Sequence, residues 1–225
     1  MTKLGSKVPP LVLAAPSGAG KTTIARALVE REEDFEFSIS VTTRAPRPRE
    51  TDGADYFFVT EEEFLALVEE GELVEWARVH GFYYGTPLHN LVEVGGKGRH
   101  VVLDIDVQGA RQIREAVPEA LLLFILPPSL EVLLGRLTGR GTEEDEVIRR
   151  RLRTALEELK AAEEFDFFVM NDNLERAIRE VRELARTGAP QRGGSSGSVE
   201  QARALRKGLE SYLRRTGDTG TLIET

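Results

Sequence analysis

The chain has 225 residues, 40% of them hydrophobic, enough apolar side chain for one domain with a full core and no disulfide or metal staple. No cysteine and only three histidines exclude a disulfide framework, a thiol nucleophile and cysteine-ligated zinc or iron–sulfur sites, and argue against a polyhistidine metal centre. Thirty basic against 38 acidic residues leave a net charge of −8, which argues against a surface built to grip nucleic acid, yet 24 of the basic residues are arginines, whose planar fork suits phosphate.

At the N-terminus the apolar stretch Leu11 to Ala15 follows Pro9-Pro10 and is shorter than the ~7 to 15 residues of a signal-peptide core. No window approaches the ~18 apolar residues of a membrane span, so the expectation is a soluble, cytoplasmic protein without a membrane partner.

Short apolar runs then alternate with helical-period segments. LVLAA (11–15) leads into a helix from Thr22 to Glu33, and FSISV (37–41) reads as the next strand. DYFFV (55–59), LVEWARV (73–79) and FYYGT (82–86) are short strands without full crossover helices between them and read as a small, mostly antiparallel insert. VVLDID (101–106), a helix from Val107 to Ala116, LLLFIL (121–126), a helix from Ser129 to Leu137, a long charged helix from about Glu143 to Glu164, and FFVM (167–170) complete the alternation. Runs apolar on both faces suit central strands of a covered parallel sheet, so the fold class is α/β. Residues 187–198 hold four glycines and three serines and read as a flexible linker. Beyond it, Val199, Ala202, Leu205, Leu209 and Leu213 share one face of a helix from Val199 to Arg215. Such a segment can dock back, self-associate or stay disordered, and oligomeric state is left open.

Directly after the first strand stands Ala15-Pro16-Ser17-Gly18-Ala19-Gly20-Lys21-Thr22-Thr23, which matches GxxxxGK[ST] except that Ala15 replaces the first glycine. Such a loop wraps polyphosphate oxygens with backbone N–H groups and aims the following helix's positive end at them. Lys21 reaches the outer phosphates, and the Thr22 hydroxyl can ligate Mg²⁺. Ala15 is tolerable only if its φ is negative and the backbone leaves room for one methyl. At the end of a later strand, Asp104 resembles the carboxylate that holds the Mg²⁺ shell, with Asp106 two residues on. TTRAPRPRE (42–50) sets Arg44, Arg47 and Arg49 among stiffening prolines, a rigid set of forks for a dianionic phosphate.

Taken with DGADYFFV, EWARVHGFYYGTP, LDIDVQG and GRGT, these motifs resemble the guanylate kinase family from about Val8 to Arg186. The resemblance implies a P-loop NTPase-type parallel sheet flanked by helices, a mixed-sheet GMP-binding insert at about 38–96 and a helical lid at about 136–156, all within residues 1–186. It implies phosphorylation of GMP or dGMP by ATP with Mg²⁺. Carried over residue by residue, Ser40, Arg44, Arg47, Tyr56 and Tyr84 would hold the GMP phosphate, while Glu75, Thr86 and Asp106 would read guanine. Lys21, Arg44, Arg136, Arg140 and Arg151 would be catalytic. The P-loop residues and Asn171, as an adenine contact, would bind ATP, with Thr22 and Asp104 on the metal. Arg49 departs from the family's glycine. Two rivals stay open at this point: a scaffold domain of the same fold, and a kinase for another phosphorylated acceptor such as a ribose bisphosphate, which would not need Glu75, Thr86 and Asp106 as a set.

Overall fold

The computed structural model describes residues 8–48, 50–79, 81–138, 145–188 and 196–216. In chain order the first half holds β1 (Leu11–Ala14), α1 (Lys21–Arg31), β2 (Phe35–Phe37), β3 (Val41–Thr42), β4 (Phe57–Phe58), α2 (Glu61–Glu69), β5 (Leu73–Val79), β6 (Phe82–Pro87) and α3 (Leu88–Gly96). The second half holds β7 (His100–Asp104), α4 (Val107–Ala116), β8 (Leu121–Leu126), α5 (Leu130–Thr138), α6 (Asp145–Lys160) with a 3₁₀ turn at Ala161–Glu164, β9 (Phe167–Met170), α7 (Leu174–Thr187) and α8 (Val199–Arg215).

Five of the strands form a parallel sheet in the order β2-β7-β1-β8-β9. The uninterrupted apolar runs have a direct cause in its two covered faces. Along β1, Leu11 and Leu13 pack with Ile24 and Leu28 of α1 and Val181 and Leu184 of α7. Val12 and Ala14 belong to the opposite cluster, with Ile113 of α4, Leu133 of α5 and Leu152 and Leu159 of α6. The insert is a second sheet in the order β4-β3-β6-β5, with β3–β4 parallel and the other two pairs antiparallel.

Helix α8 packs on the α5–α6 side of the core. Ala202, Leu205, Leu209 and Leu213 are buried in the same cluster as Leu133, Leu137 and Leu152. Gly208 lets it approach closely, since a Cβ there would lie 2.8 Å from Leu130 Cδ2. The segment leading in is anchored by Ser196, whose Oγ accepts the Met170 N–H at 2.9 Å and donates to Glu180 Oε2.

Two expectations are corrected. FSISV is not one strand: β2 ends at Phe37 in the large sheet and β3 starts at Val41 in the small one. The serine-rich bend between them is pinned by Asn90, whose amide donates to Ser38 Oγ (3.0 Å) and Ile39 O (3.1 Å), so the chain changes sheets inside an apolar run. The insert is also not purely strands. Helix α2 separates β4 from β5 and is started by a capping box in which Thr60 and Glu63 satisfy each other's backbone N–H. Of the expected linker, residues 189–195 lie outside the described residues, as do Arg49 and residues 139–144.

Candidate active site

The loop between β1 and α1 turns where Pro16 O accepts the Ala19 N–H at 2.9 Å. Gly18 and Gly20 have φ of +84° and +92°, a region that favours glycine. Gly20 is required twice over, because a Cβ there would also meet Asn171 Nδ2 at 2.4 Å. No side chain caps the start of α1, so its first-turn N–H groups remain for an anion. Ala15 is buried, with its methyl in the core cluster of Leu11 and Leu13.

Three other elements hold this loop. Arg136 of α5 donates from Nη1 to Gly18 O (3.3 Å) and Ala19 O (3.0 Å). The Asn171 amide, just past β9, donates to Ala19 O at 2.7 Å. Glu158 of α6 accepts the Ser17 N–H at 2.7 Å. Burial pushes the Glu158 carboxyl up to about 7, against the pull of the Ser17 N–H and the Lys21 charge. Sequence reasoning missed Glu158, although Arg151, Thr154 and Glu158 recur at helical spacing and line one cavity.

Lys21 opens α1 and points across to the end of β7, donating to Ile105 O at 2.5 Å and pairing with Asp104 Oδ1 at 2.8 Å. Burial alone would lower its pKa, but Asp104, with Glu158 and Asp106 nearby, outweighs that and the net direction is up, so the ammonium stays charged. Thr22 lies beside it. Asp104 and Thr22 line the same cavity and offer hard oxygen donors, a set that fits Mg²⁺. Among the described residues no group of three or more His, Asp or Glu side chains is placed to hold a metal ion by itself.

Two cavities meet at Lys21 and Thr22. The larger, about 640 Å³, runs along the loop from Ala15 to Thr23 and is closed by Arg136, Arg151, Thr154 and Glu158. The smaller, about 230 Å³, lies between the two sheets and is lined by Ser40, Tyr56, Glu75, Tyr84, Asp104 and Asp106.

At the wall of the smaller cavity, Glu75 of β5 is only 4% exposed, with Oε1 accepting the Thr86 hydroxyl at 2.6 Å. Burial pushes its carboxyl up to about 7, and the Thr86 bond opposes the rise. Thr86 is fully buried behind Glu75. Asp106 caps α4, with Oδ1 accepting the Gln108 and Gly109 N–H groups at 3.0 and 2.9 Å. This fixes the carboxylate and leaves capacity on its second oxygen, which takes only Gln108 Nε2 at 3.1 Å.

Arg44 is buried and held on nearly every side. Its guanidinium pairs with both oxygens of Glu50 (2.9 and 3.0 Å), Nη1 also donates to Ala45 O (2.6 Å), and Nε donates to Tyr84 Oη (3.1 Å). It also lies over the Tyr56 ring, 5.4 Å from the centroid. Five N–H donors minus those four bonds leave one on Nη2 for a ligand. Arg47 is exposed, and its backbone N–H goes to Glu50. Arg151 donates from Nη1 to Leu137 O at 3.3 Å. Arg140 lies outside the described residues. The site thus gathers Lys21, Thr22, Ser40, Tyr56, Glu75, Tyr84, Asp104 and Asp106 in one cavity, whose lining does not include Arg44, Arg47 or Thr86.

The site joins a loop-lined cavity to a second cavity with a buried carboxylate through a lysine common to both. A family profile for guanylate kinase matches residues 7–187. The chain belongs to the guanylate kinase family. It is 52% identical over 172 residues to the guanylate kinase of Nitratidesulfovibrio vulgaris, covering 76% of this chain and 83% of that one. With the guanylate kinase of Caldanaerobacter subterraneus the identity is 47% over 174 residues, or 77% and 84% of the two chains. The crystal structure of guanylate kinase from Anaplasma phagocytophilum superposes with a TM-score of 0.66 at 32% identity, covering 97% of this chain and all of that one.

Proposed function

We propose that the two cavities are the donor and acceptor halves of one phosphoryl-transfer site. The chain transfers a phosphoryl group from ATP to GMP, giving ADP and GDP. The observation that carries this reading is that the cavities share Lys21 and Thr22. A nucleotide polyphosphate on the loop and a monophosphate in the smaller cavity then meet at one ammonium group.

On the acceptor side Glu75 and Asp106 accept from the guanine N1–H and 2-amine, with Thr86 holding Glu75. Adenine presents the reverse pattern around N1 and position 6, which would leave a buried charge without donors. Ser40, Tyr56, Tyr84, the remaining N–H of Arg44, and Arg47 take the phosphate. dGMP, which offers the same base edge and the same phosphate, is read as a second acceptor. On the donor side the loop N–H groups and Lys21 hold the ATP phosphates, with Arg136, Arg140 and Arg151 gathering the transferred charge. Asn171 fixes the loop from the adenine side.

Thr22 and Asp104 would hold Mg²⁺, which when bound would supply charge neutralisation for the transferring group. Free nucleotide substrates and a chain without cysteine fit a cytoplasmic enzyme.

The test is ADP release with ATP, Mg²⁺ and GMP, dGMP, AMP, UMP or CMP as acceptor. GMP and dGMP are expected to turn over at rates at least roughly 10²-fold above AMP. Absence of turnover with every acceptor would refute the reading in favour of a scaffold domain.

A further inference from the structure

The two guanine-reading carboxylates come from different bodies: Glu75 from strand β5 of the insert, Asp106 from the cap of α4 on the core sheet. Their spacing is therefore set by whatever fixes β5 against α4. Helix α4 does so with residues one turn apart. At Gly109 the helix comes so close that a Cβ would lie 2.4 Å from Glu75 Oε2. One turn further, the Gln112 side chain takes both peptide groups of Trp76, the residue after Glu75. Its Oε1 accepts the Trp76 N–H at 3.1 Å, and its Nε2 donates to Trp76 O at 2.7 Å. β5 is the edge of the small sheet, paired only with β6, so Gln112 supplies on its open side the bonds another strand would make.

We propose that Gln112 is a positioning residue for base discrimination: by clamping Trp76 to α4 it sets the distance between Glu75 and Asp106, so that both reach one guanine edge. The proposal rests on the acceptor reading above. It assigns no substrate contact to Gln112 itself, whose amide is spent on Trp76. Without the clamp, β5 keeps its pairing to β6 and the insert its fold, but Glu75 is no longer held in register with Asp106. The 2-amino group is what two converging carboxylates recognise beyond N1–H. Discrimination between GMP and IMP, which lacks that amine, is thus the property that depends on their spacing.

Gln112→Met keeps length and removes both bonds. Loss of two hydrogen bonds at a half-exposed site is expected to raise KM for GMP roughly 5- to 30-fold. KM for ATP and kcat should stay within about twofold, since Gln112 does not line the loop cavity. The ratio of kcat/KM for GMP over IMP should fall. Trp76, the only tryptophan, gives a second readout, since GMP and IMP titrated against its fluorescence report binding without turnover. If the Met variant does not fold, Gln112→Glu serves: it keeps an acceptor for the Trp76 N–H and loses the donor to Trp76 O, and the same fall in selectivity is expected. A lowered melting temperature with an unchanged GMP/IMP ratio, in turnover and in titration, would overturn the proposal and make Gln112 a packing residue. A wild-type protein with no preference for GMP would instead refute the acceptor reading.

Discussion

Glu75→Gln should move stability and activity in opposite directions. In the free protein Glu75 is buried with one hydrogen bond, from Thr86, and its carboxyl sits at about 7 instead of the ordinary 4.5. The native state therefore holds this proton more tightly than the unfolded chain. Stability from this residue is fully present below pH 4.5 and is lost as pH rises through 7. Above that the ionised carboxylate costs about 3 kcal/mol, an order-of-magnitude figure. The amide carries no charge to desolvate, so the variant should melt several degrees higher at pH 8 while matching the wild type near pH 4.

Activity falls for a different reason. One carboxylate oxygen becomes an N–H donor facing guanine donors, and a buried mismatch of this kind costs roughly 2 to 4 kcal/mol, hence about 10²-fold or more in kcat/KM for GMP. The assay is kcat/KM for GMP and AMP between about pH 5.5 and 9, with thermal melts alongside. The wild type should lose kcat/KM as pH falls below about 7, because with Oε1 taken by Thr86 the protonated Glu75 presents an O–H donor to guanine donors. In the variant the acid limb should move to about 6, the second ionisation of the substrate phosphate. An unchanged GMP over AMP ratio, or an acid limb that does not move, would refute the reasoning.

Lys21→Ala should lower kcat by about 10² to 10³-fold or more in a protein that still folds, measured by ADP release and a thermal melt. Near-normal turnover would remove Lys21 from the transfer step. Arg44→Lys should raise KM for GMP roughly 10- to 100-fold with KM for ATP unchanged, because one ammonium cannot replace the fork spanning Glu50 and Tyr84. Leu209→Ala, at a fully buried position of α8, should cost about 2 to 5 kcal/mol in denaturant unfolding without altering the GMP over AMP ratio. A loss below about 0.5 kcal/mol would mean that α8 does not stay docked in solution.

The core sheet was legible where burial alone decides structure. LLLFIL and FFVM coincide with β8 and β9, and the span read as a helix from Val107 to Ala116 coincides with α4; in the insert, LVEWARV coincides with β5. FSISV was misread because period and hydrophobicity are the same whichever sheet a strand joins, and only the Asn90 bonds reveal the bend. The amphipathic face of α8 was legible but its destination was not, since an apolar stripe names no partner. Within the site, charged and hydroxyl side chains with a chemical signature could be singled out, whereas Glu158, Gly109 and Gln112 could not. Each acts on another residue's backbone or occupies no space at all, and one-dimensional spacing shows neither. Asp106, Gly109 and Gln112 do recur at three-residue intervals, the one trace their shared face leaves in the sequence.

The docking of α8 has a bearing on how the enzyme comes into being. Helices α5 and α6 carry Arg136, Arg151 and Glu158, and their buried side is completed by residues 202–213, which are synthesised some forty residues after α6 ends. Until those residues have been made, the helices that hold the phosphate loop from behind lack part of their apolar support, so this side of the core is the last to be completed.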